Sequence, residues 1–345
     1  MSLERPLAPS PRPHQIANWL LAIAALVFLM VVVGGITRLT ESGLSITRWD
    51  PISGVIPPLN QADWQHQFDL YKQTPQYQTV NRNMTMSDFQ FIFFWEYIHR
   101  LLGRLIGVAF ALPFAWFAWK RAIPKGFGWR LTIIFALGAL QGAIGWWMVV
   151  SGLVERTEVS HIRLAVHLLN AFLIIGAVVW VALDLRALAR NPAARLARLS
   201  GLAILALLLL TAQLCLGAFT AGLRAGYAFN TWPLMGDGLF PQGVPMLEPF
   251  WRNVVDNPIV VQFVHRWLAW IVAATLLILA LRTQRTGGKG EAHAMLTIVA
   301  LQILLGILTL VTGVSLWIAV AHQAVGALLV AAVVVASHRL DNVRE

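Results

Sequence analysis

The 345-residue chain is 58% hydrophobic and only 12% charged, with a mean hydropathy of +0.67, whereas soluble domains carry roughly 25% charged residues. That composition excludes a water-soluble globular chain and marks an integral membrane protein. The formal charge of +10 follows membrane topology rather than a nucleic-acid footprint, so lipid is an expected partner and nucleic acid is not.

A membrane-spanning helix needs about 20 mostly apolar residues. Eight such runs follow one another at 16–37, 89–119, 131–150, 162–183, 200–220, 258–281, 294–313 and 317–337, without strand alternation. The Pro-rich start, Pro6 to Pro13, reads as a flexible tail, and the first run is too long for a signal-peptide core. After it, Gly34 to Pro58 is dense in Gly, Pro and Ser and reads as irregular backbone. Trp64, Phe68 and Tyr71 then fall at helical spacing in a polar segment. They predict a short amphipathic helix, either a lid or an interfacial anchor. Thr85 and Asp88 match a capping box at the start of the second run.

The second run carries Glu96, His99, Arg100 and Arg104 at membrane depth, where ionisable groups are costly and usually face a partner or cofactor. The fourth run carries His161 and His167, about 240° apart around a helix, so the two cannot face one ligand. The lone Cys215 in the fifth run permits no intramolecular disulfide. The sixth run repeats a His-Arg pair at His265 and Arg266, with Gln262 where the second has Glu96. The eighth run holds His322.

Charge gives orientation. The N-terminal tail, the segments 120–130, 184–198 and 282–291, and the C-terminal tail together hold 15 Lys/Arg and 5 Asp/Glu, while the alternate connections are acidic in balance. By the positive-inside rule both termini are cytoplasmic.

The second half repeats the first. Gly34, Gly43 and Trp49 match Gly217, Gly226 and Trp232 at an offset of 183, and Leu140, Gln141 and Gly145 match Leu301, Gln302 and Gly306 at 161. His99 aligns with His265 and His167 with His322. The fold expected is therefore all-α, with eight transmembrane helices in two tandem four-helix bundles related by a pseudo-two-fold axis along the membrane normal. The halves span 16–183 and 200–337, with cytoplasmic tails at 1–15 and 338–345 and a cytoplasmic linker at 184–199.

Four histidines thus stand one per even-numbered run, at one level near the outer face. A single membrane histidine is as readily a hydrogen-bonded structural residue, but four at repeat-equivalent positions point to cofactor ligation. Zinc or copper is the first alternative, yet the second half has no carboxylate at matching depth and no thiolate is near. Paired imidazoles suit a haem iron, with Gly103, Gly107, Trp267 and Trp270 as small and aromatic neighbours.

The stretches Glu96-Tyr97-Ile98-His99-Arg100 with Gly103-Arg104, Gly34 to Ser45, Asn230 to Met235, and Phe263-Val264-His265-Arg266 resemble haem A synthase. The likeness runs from about residue 16 to 337. It implies a bacterial inner-membrane oxidoreductase that oxidises the C8 methyl group of haem O, through hydroxylated intermediates, to the formyl group of haem A for terminal oxidases. Haem O synthase and oxidase assembly factors are the partners it implies, and a homo-oligomer stays open. It also implies a resident haem b on His265 and His322 in the C-terminal half, and substrate haem on His99 and His167 in the N-terminal half. Some members carry a cysteine pair in the first outer loop; this chain has none.

Glu96, three residues before His99, is the candidate catalytic residue, able to accept protons at the substrate's edge; its plainer role is an i to i+4 ion pair with Arg100. Arg100, Arg104 and Arg266 are candidates for haem propionates. Two other classes keep the four histidines without the oxidation: a di-haem b electron-transfer protein and a haem transporter or chaperone.

Overall fold

The computed structural model describes residues 11–50, 52–154 and 156–341. Most of the Pro6 to Pro13 tail lies outside them. Among the described residues there is no strand, and eight helices are long and apolar enough to cross a membrane. These are α1 (Pro13–Leu39), α4 (Met86–Trp119), α5 (Gly128–Leu153), α6 (His161–Arg190), α7 (Gly201–Gly222), α9 (Pro258–Arg285), α10 (Lys289–Val311) and α11 (Leu316–Asp341). Three shorter helices, α2 (Gln61–Tyr71), α3 (Pro75–Thr79) and α8 (Asn253–Asp256), lie in the two long connections at one end of the bundle, the long-loop end.

The helix starts follow local chemistry. Thr85 and Asp88 form the reciprocal capping box of α4. Asn60, Thr74, Ser200 and Asn257 each cap a following helix through the side-chain oxygen. With 34 residues, α4 extends about 51 Å at ~1.5 Å per residue, well beyond a hydrocarbon core of ~30 Å. Its first turns therefore project past the bundle, where Phe89 stacks on Phe68 at 4.9 Å and on Tyr71 at 5.4 Å. The amphipathic helix predicted from Trp64, Phe68 and Tyr71 is this α2, docked on α4. Tyr71 is fully buried there, and the burial pushes its phenol up to about 12.

Helices α1, α4, α5 and α6 pack together, as do α7, α9, α10 and α11, and the seam between the sets is made by α1 on α11, α6 on α7 and α6 on α11. Exchanging each helix for its repeat mate maps that seam onto itself. Two contacts at the long-loop end join repeat mates directly, as a two-fold axis requires. Arg38 donates to the Ala221 carbonyl at 3.2 Å, and Arg224 pairs with Glu41 at 2.5 Å. Glu41 and Arg224 both hold left-handed backbone, φ 57° and 51°, which costs a non-glycine residue roughly 1–2 kcal/mol. Glu158 joins Arg38 and Arg224 across the same seam, at 3.2 and 2.6 Å.

The opposite end departs from the predicted boundaries. The segment assigned to a linker begins as helix, since α6 runs on to Arg190, and the tail assigned from residue 338 begins as helix, since α11 runs on to Asp341. The reason is a buried charge cluster. Asp184, 1% exposed, accepts from Arg130 at 2.7 Å and pairs with His338 at 2.9 Å. Asp184 in α6 and His338 in α11 are charged or ionisable, so each apolar run stops before them while the helix does not.

Candidate haem-ligand site

All four repeat-related histidines sit on helices that enter the bundle from the long-loop end: His99 on α4, His167 on α6, His265 on α9 and His322 on α11. Each ring rests on a glycine of the neighbouring helix. A methyl group at Gly34 would lie 3.2 Å from His99 Nε2; at Gly145, Gly217 and Gly306 it would lie 3.0, 3.1 and 3.0 Å from Cε1 of His167, His265 and His322. Any larger residue would push the ring. The four seats are the Gly34/Gly217 and Gly145/Gly306 repeat pairs, so the duplication carries both the histidines and the space they need. His161 points elsewhere, as its spacing predicts, and pairs with Asp256 at 3.2 Å.

His99 and His167 face one another, ring centroids 6.5 Å apart. A nitrogen-to-metal bond runs about 2.0–2.1 Å and a ring centroid lies ~1.1 Å behind its nitrogen, so two imidazoles on opposite sides of one iron stand about 6.3 Å apart. The observed pair fits that separation. Among the described residues the donor set is two imidazoles with no thiolate or carboxylate between them, which suits a haem iron. His265 and His322 occupy the repeat-equivalent seats, on Gly217 and Gly306.

The charged residues beside these histidines are bound into the protein itself. Glu96 is 2% exposed, and its carboxylate takes four donors. Arg100 Nε and Nη2 reach Oε1 at 3.1 and 2.6 Å, while the Ser45 hydroxyl and the Ile46 N–H reach Oε2 at 2.7 and 2.8 Å. An ionised carboxylate offers about four lone-pair sites, and here all are used. Arg100 also donates to the main-chain oxygens of Ile46 and Arg48, each at 2.7 Å. The plainer role for Glu96, partner of Arg100, is thus what the structure displays, extended into a staple on the loop after α1.

The C-terminal half builds the same clamp. Arg266 donates to the carbonyls of Phe229 and Thr231, both at 2.9 Å, and Gln262 donates to Phe229 at 3.0 Å. Phe229 and Thr231 are the mates of Ile46 and Arg48 at the offset of 183. Arg100 and Arg266, candidates for propionates, each place both terminal guanidinium nitrogens on loop carbonyls, while Arg266 Nε is buried with no hydrogen-bond partner among the described residues. Arg104 donates to the Asp50 carbonyl at 2.7 Å. From the N-terminal clamp the loop reaches α5, where Trp49 packs on Trp146 at 5.0 Å, the residue after His167's glycine. The loop so spans the long-loop side of the His99–His167 pair.

Sequence reasoning overlooked Ser45 and Gln213. The signal for Gln213 is its position: a carboxamide in the apolar α7 run, one turn before Gly217. It lies 3.1 Å from His265 Nδ1. Gln141 and Gln302, noted only as a repeat match, also lie against histidines, Gln141 Nε2 3.3 Å from His167 Nδ1 and Gln302 Nε2 3.5 Å from His322 Nε2.

Residues 17–334 match the family model described as cytochrome oxidase assembly protein, COX15-CtaA. The chain is 60% identical to a haem A synthase of Rhizorhabdus wittichii, over 99% of this chain and 98% of that one. It is 55% identical to a haem A synthase of Sphingopyxis alaskensis, over 97% and 94%. A haem A synthase of Novosphingobium aromaticivorans is 49% identical, over 96% and 98%.

Proposed function

The chain belongs to the cytochrome oxidase assembly protein family, COX15-CtaA, and from that premise we infer that it converts haem O to haem A in the membrane, for assembly of terminal oxidases. The observation that carries this reading to particular residues is the facing pair His99 and His167, with all four repeat-related histidines on glycine seats.

His99 and His167 would hold the substrate haem iron, and His265 and His322 a resident haem b. When bound, that haem b supplies one-electron redox chemistry. The protein's own contribution is placement. The glycine seats set where each imidazole nitrogen points, and the seam of α1, α6, α7 and α11 holds the two pairs in one rigid frame. The clamp of Glu96 and Arg100 fastens residues 45–48 over the substrate pair, which fixes the substrate ring and limits water at the methyl group being oxidised. Glu96 acts in this reading as a positioning residue, because a proton could reach its carboxylate only by displacing one of four donors.

The charge asymmetry supports cytoplasmic termini and histidines toward the outer face of a bacterial inner membrane. Haem O synthase and oxidase assembly factors are the partners this activity calls for.

Extraction of pigment from the purified protein tests the reading. Haem b together with haem O or haem A supports it. Haem b alone, in two copies per chain, would overturn it in favour of an electron relay.

A further inference from the structure

We propose that the amide groups behind the four histidines set haem residence, with Gln213 and Gln302 holding the C-terminal pair while Met30 and Asn170 leave the N-terminal pair exchangeable. This rests on the assignment of resident and substrate haem above.

A histidine that binds iron through Nε2 carries its proton on Nδ1 and donates it to an acceptor, and that outer bond orients the ring and strengthens the ligand. His322 has this arrangement, with Nδ1 3.1 Å from the main-chain oxygen of Gln302. His265 has an amide in the same place. Gln213 Nε2 lies 3.1 Å from Nδ1 and donates to the His265 carbonyl at 2.9 Å, while its Oε1 is buried with no hydrogen-bond partner among the described residues. A rotation of the amide that gives up the bond to the His265 carbonyl presents that idle oxygen to Nδ1–H. Gln302 Oε1 is buried and idle too, with its Nε2 3.5 Å from His322 Nε2.

The N-terminal half breaks both supports. Gln141 is the mate of Gln302, but its Oε1 accepts from Asn170 Nδ2 at 2.7 Å. That bond fixes the amide with Nε2 toward His167, 3.3 Å from each ring nitrogen. An N–H aimed at the imidazole competes with iron for the nitrogen lone pair; Gln213 and Gln302 also point Nε2 at their rings, but no partner holds their Oε1, so only Gln141 is locked in that pose. The mate of Asn170, at the offset of 155 that joins His167 to His322, is Val325, which leaves Gln302 unconstrained. Behind His99 the mate of Gln213 is Met30. The Met30 methyl sits 3.3 Å from where a methyl on Gly103 would lie, one turn from His99, and a thioether offers only a weak acceptor. No described residue hydrogen-bonds the His99 ring. One half is wired to retain a macrocycle, the other to let one in and out.

The test is haem release from the purified, haem-loaded protein to excess apomyoglobin, with haem b and haem O or A resolved by extraction at each time. Gln213→Met is expected to speed haem b release about tenfold to a hundredfold, the usual effect of losing such an outer partner, and to shift the low-spin resonance of haem b. Met30→Gln and Asn170→Val are expected to slow release of haem O and haem A while haem b is unmoved. If Gln213→Met does not assemble, the other two variants still decide the matter. Unchanged release in Met30→Gln and Asn170→Val overturns the proposal. A separate control guards the underlying assignment: a His265→Ala protein that keeps haem b as firmly as the parent would sink the placement of haem b itself.

Discussion

Replacing Glu96 by Gln keeps the side chain's shape and removes its charge. In the structure the carboxylate is buried and takes two donors on each oxygen, from Arg100, Ser45 and Ile46. An amide oxygen offers two lone pairs and the amide nitrogen none, so at least two of the four donors lose their acceptor. Arg100, whose side chain is 16% exposed, loses its counter-charge, and breaking a buried pair in this way costs about 3–5 kcal/mol. The repeat shows why a Gln works in one half and not the other. Gln262 meets a carbonyl, Phe229 O, whereas residue 96 meets the N–H of Ile46. Taking ~3 kcal/mol, local opening of residues 44–48 should rise roughly a hundredfold, since ~1.4 kcal/mol is one decade. Hydrogen exchange read by mass spectrometry would follow it at Ile46. Haem b should stay bound, and haem A yield should fall with accumulation of haem O or a partly oxidised product. Ser45→Ala, which removes one donor and leaves the charge, should lower protection and yield by a smaller step. A Glu96→Gln protein with normal loop protection but no haem A, beside a silent Ser45→Ala, would refute the clamp argument and make Glu96 a direct proton acceptor.

The other predictions are shorter. Gly217→Ala puts a methyl 3.1 Å from His265 and should reduce haem b per chain, measured as the pyridine haemochrome, while Gly201→Ala, in open space, should not. Asp184→Asn strips the counter-charge from Arg130 and should destabilise the solubilised protein by about 3–5 kcal/mol, seen as a lower thermal midpoint by fluorescence. Arg224→Ala, at a half-exposed pair, should cost no more than about 1 kcal/mol. Reporter fusions should place both termini in the cytoplasm, and either terminus outside would reject the orientation.

The spans were legible because membrane length and hydropathy act on every residue of a helix, and the histidine sites because duplication repeats them at fixed offsets. Gly34, Gly145 and their mates carry the seats openly in the sequence. What stayed hidden were partners supplied by backbone. A buried guanidinium calls for an acceptor, and nothing in the residue types says that the carbonyls of Ile46 and Phe229 meet part of that need for Arg100 and Arg266. The same holds for His338: beside Arg339 and Asp341 it reads as a tail, and only the fold brings Asp184 to it.

The most direct measurement is haem analysis after expression beside a haem O synthase, in a host that makes no haem A of its own. The intact chain should yield haem A, and His99→Ala and His167→Ala should keep haem b while leaving haem O unconverted. An intact, haem b-loaded chain that leaves all haem O unchanged, or a His99→Ala variant that makes haem A as well as the parent, would contradict the account.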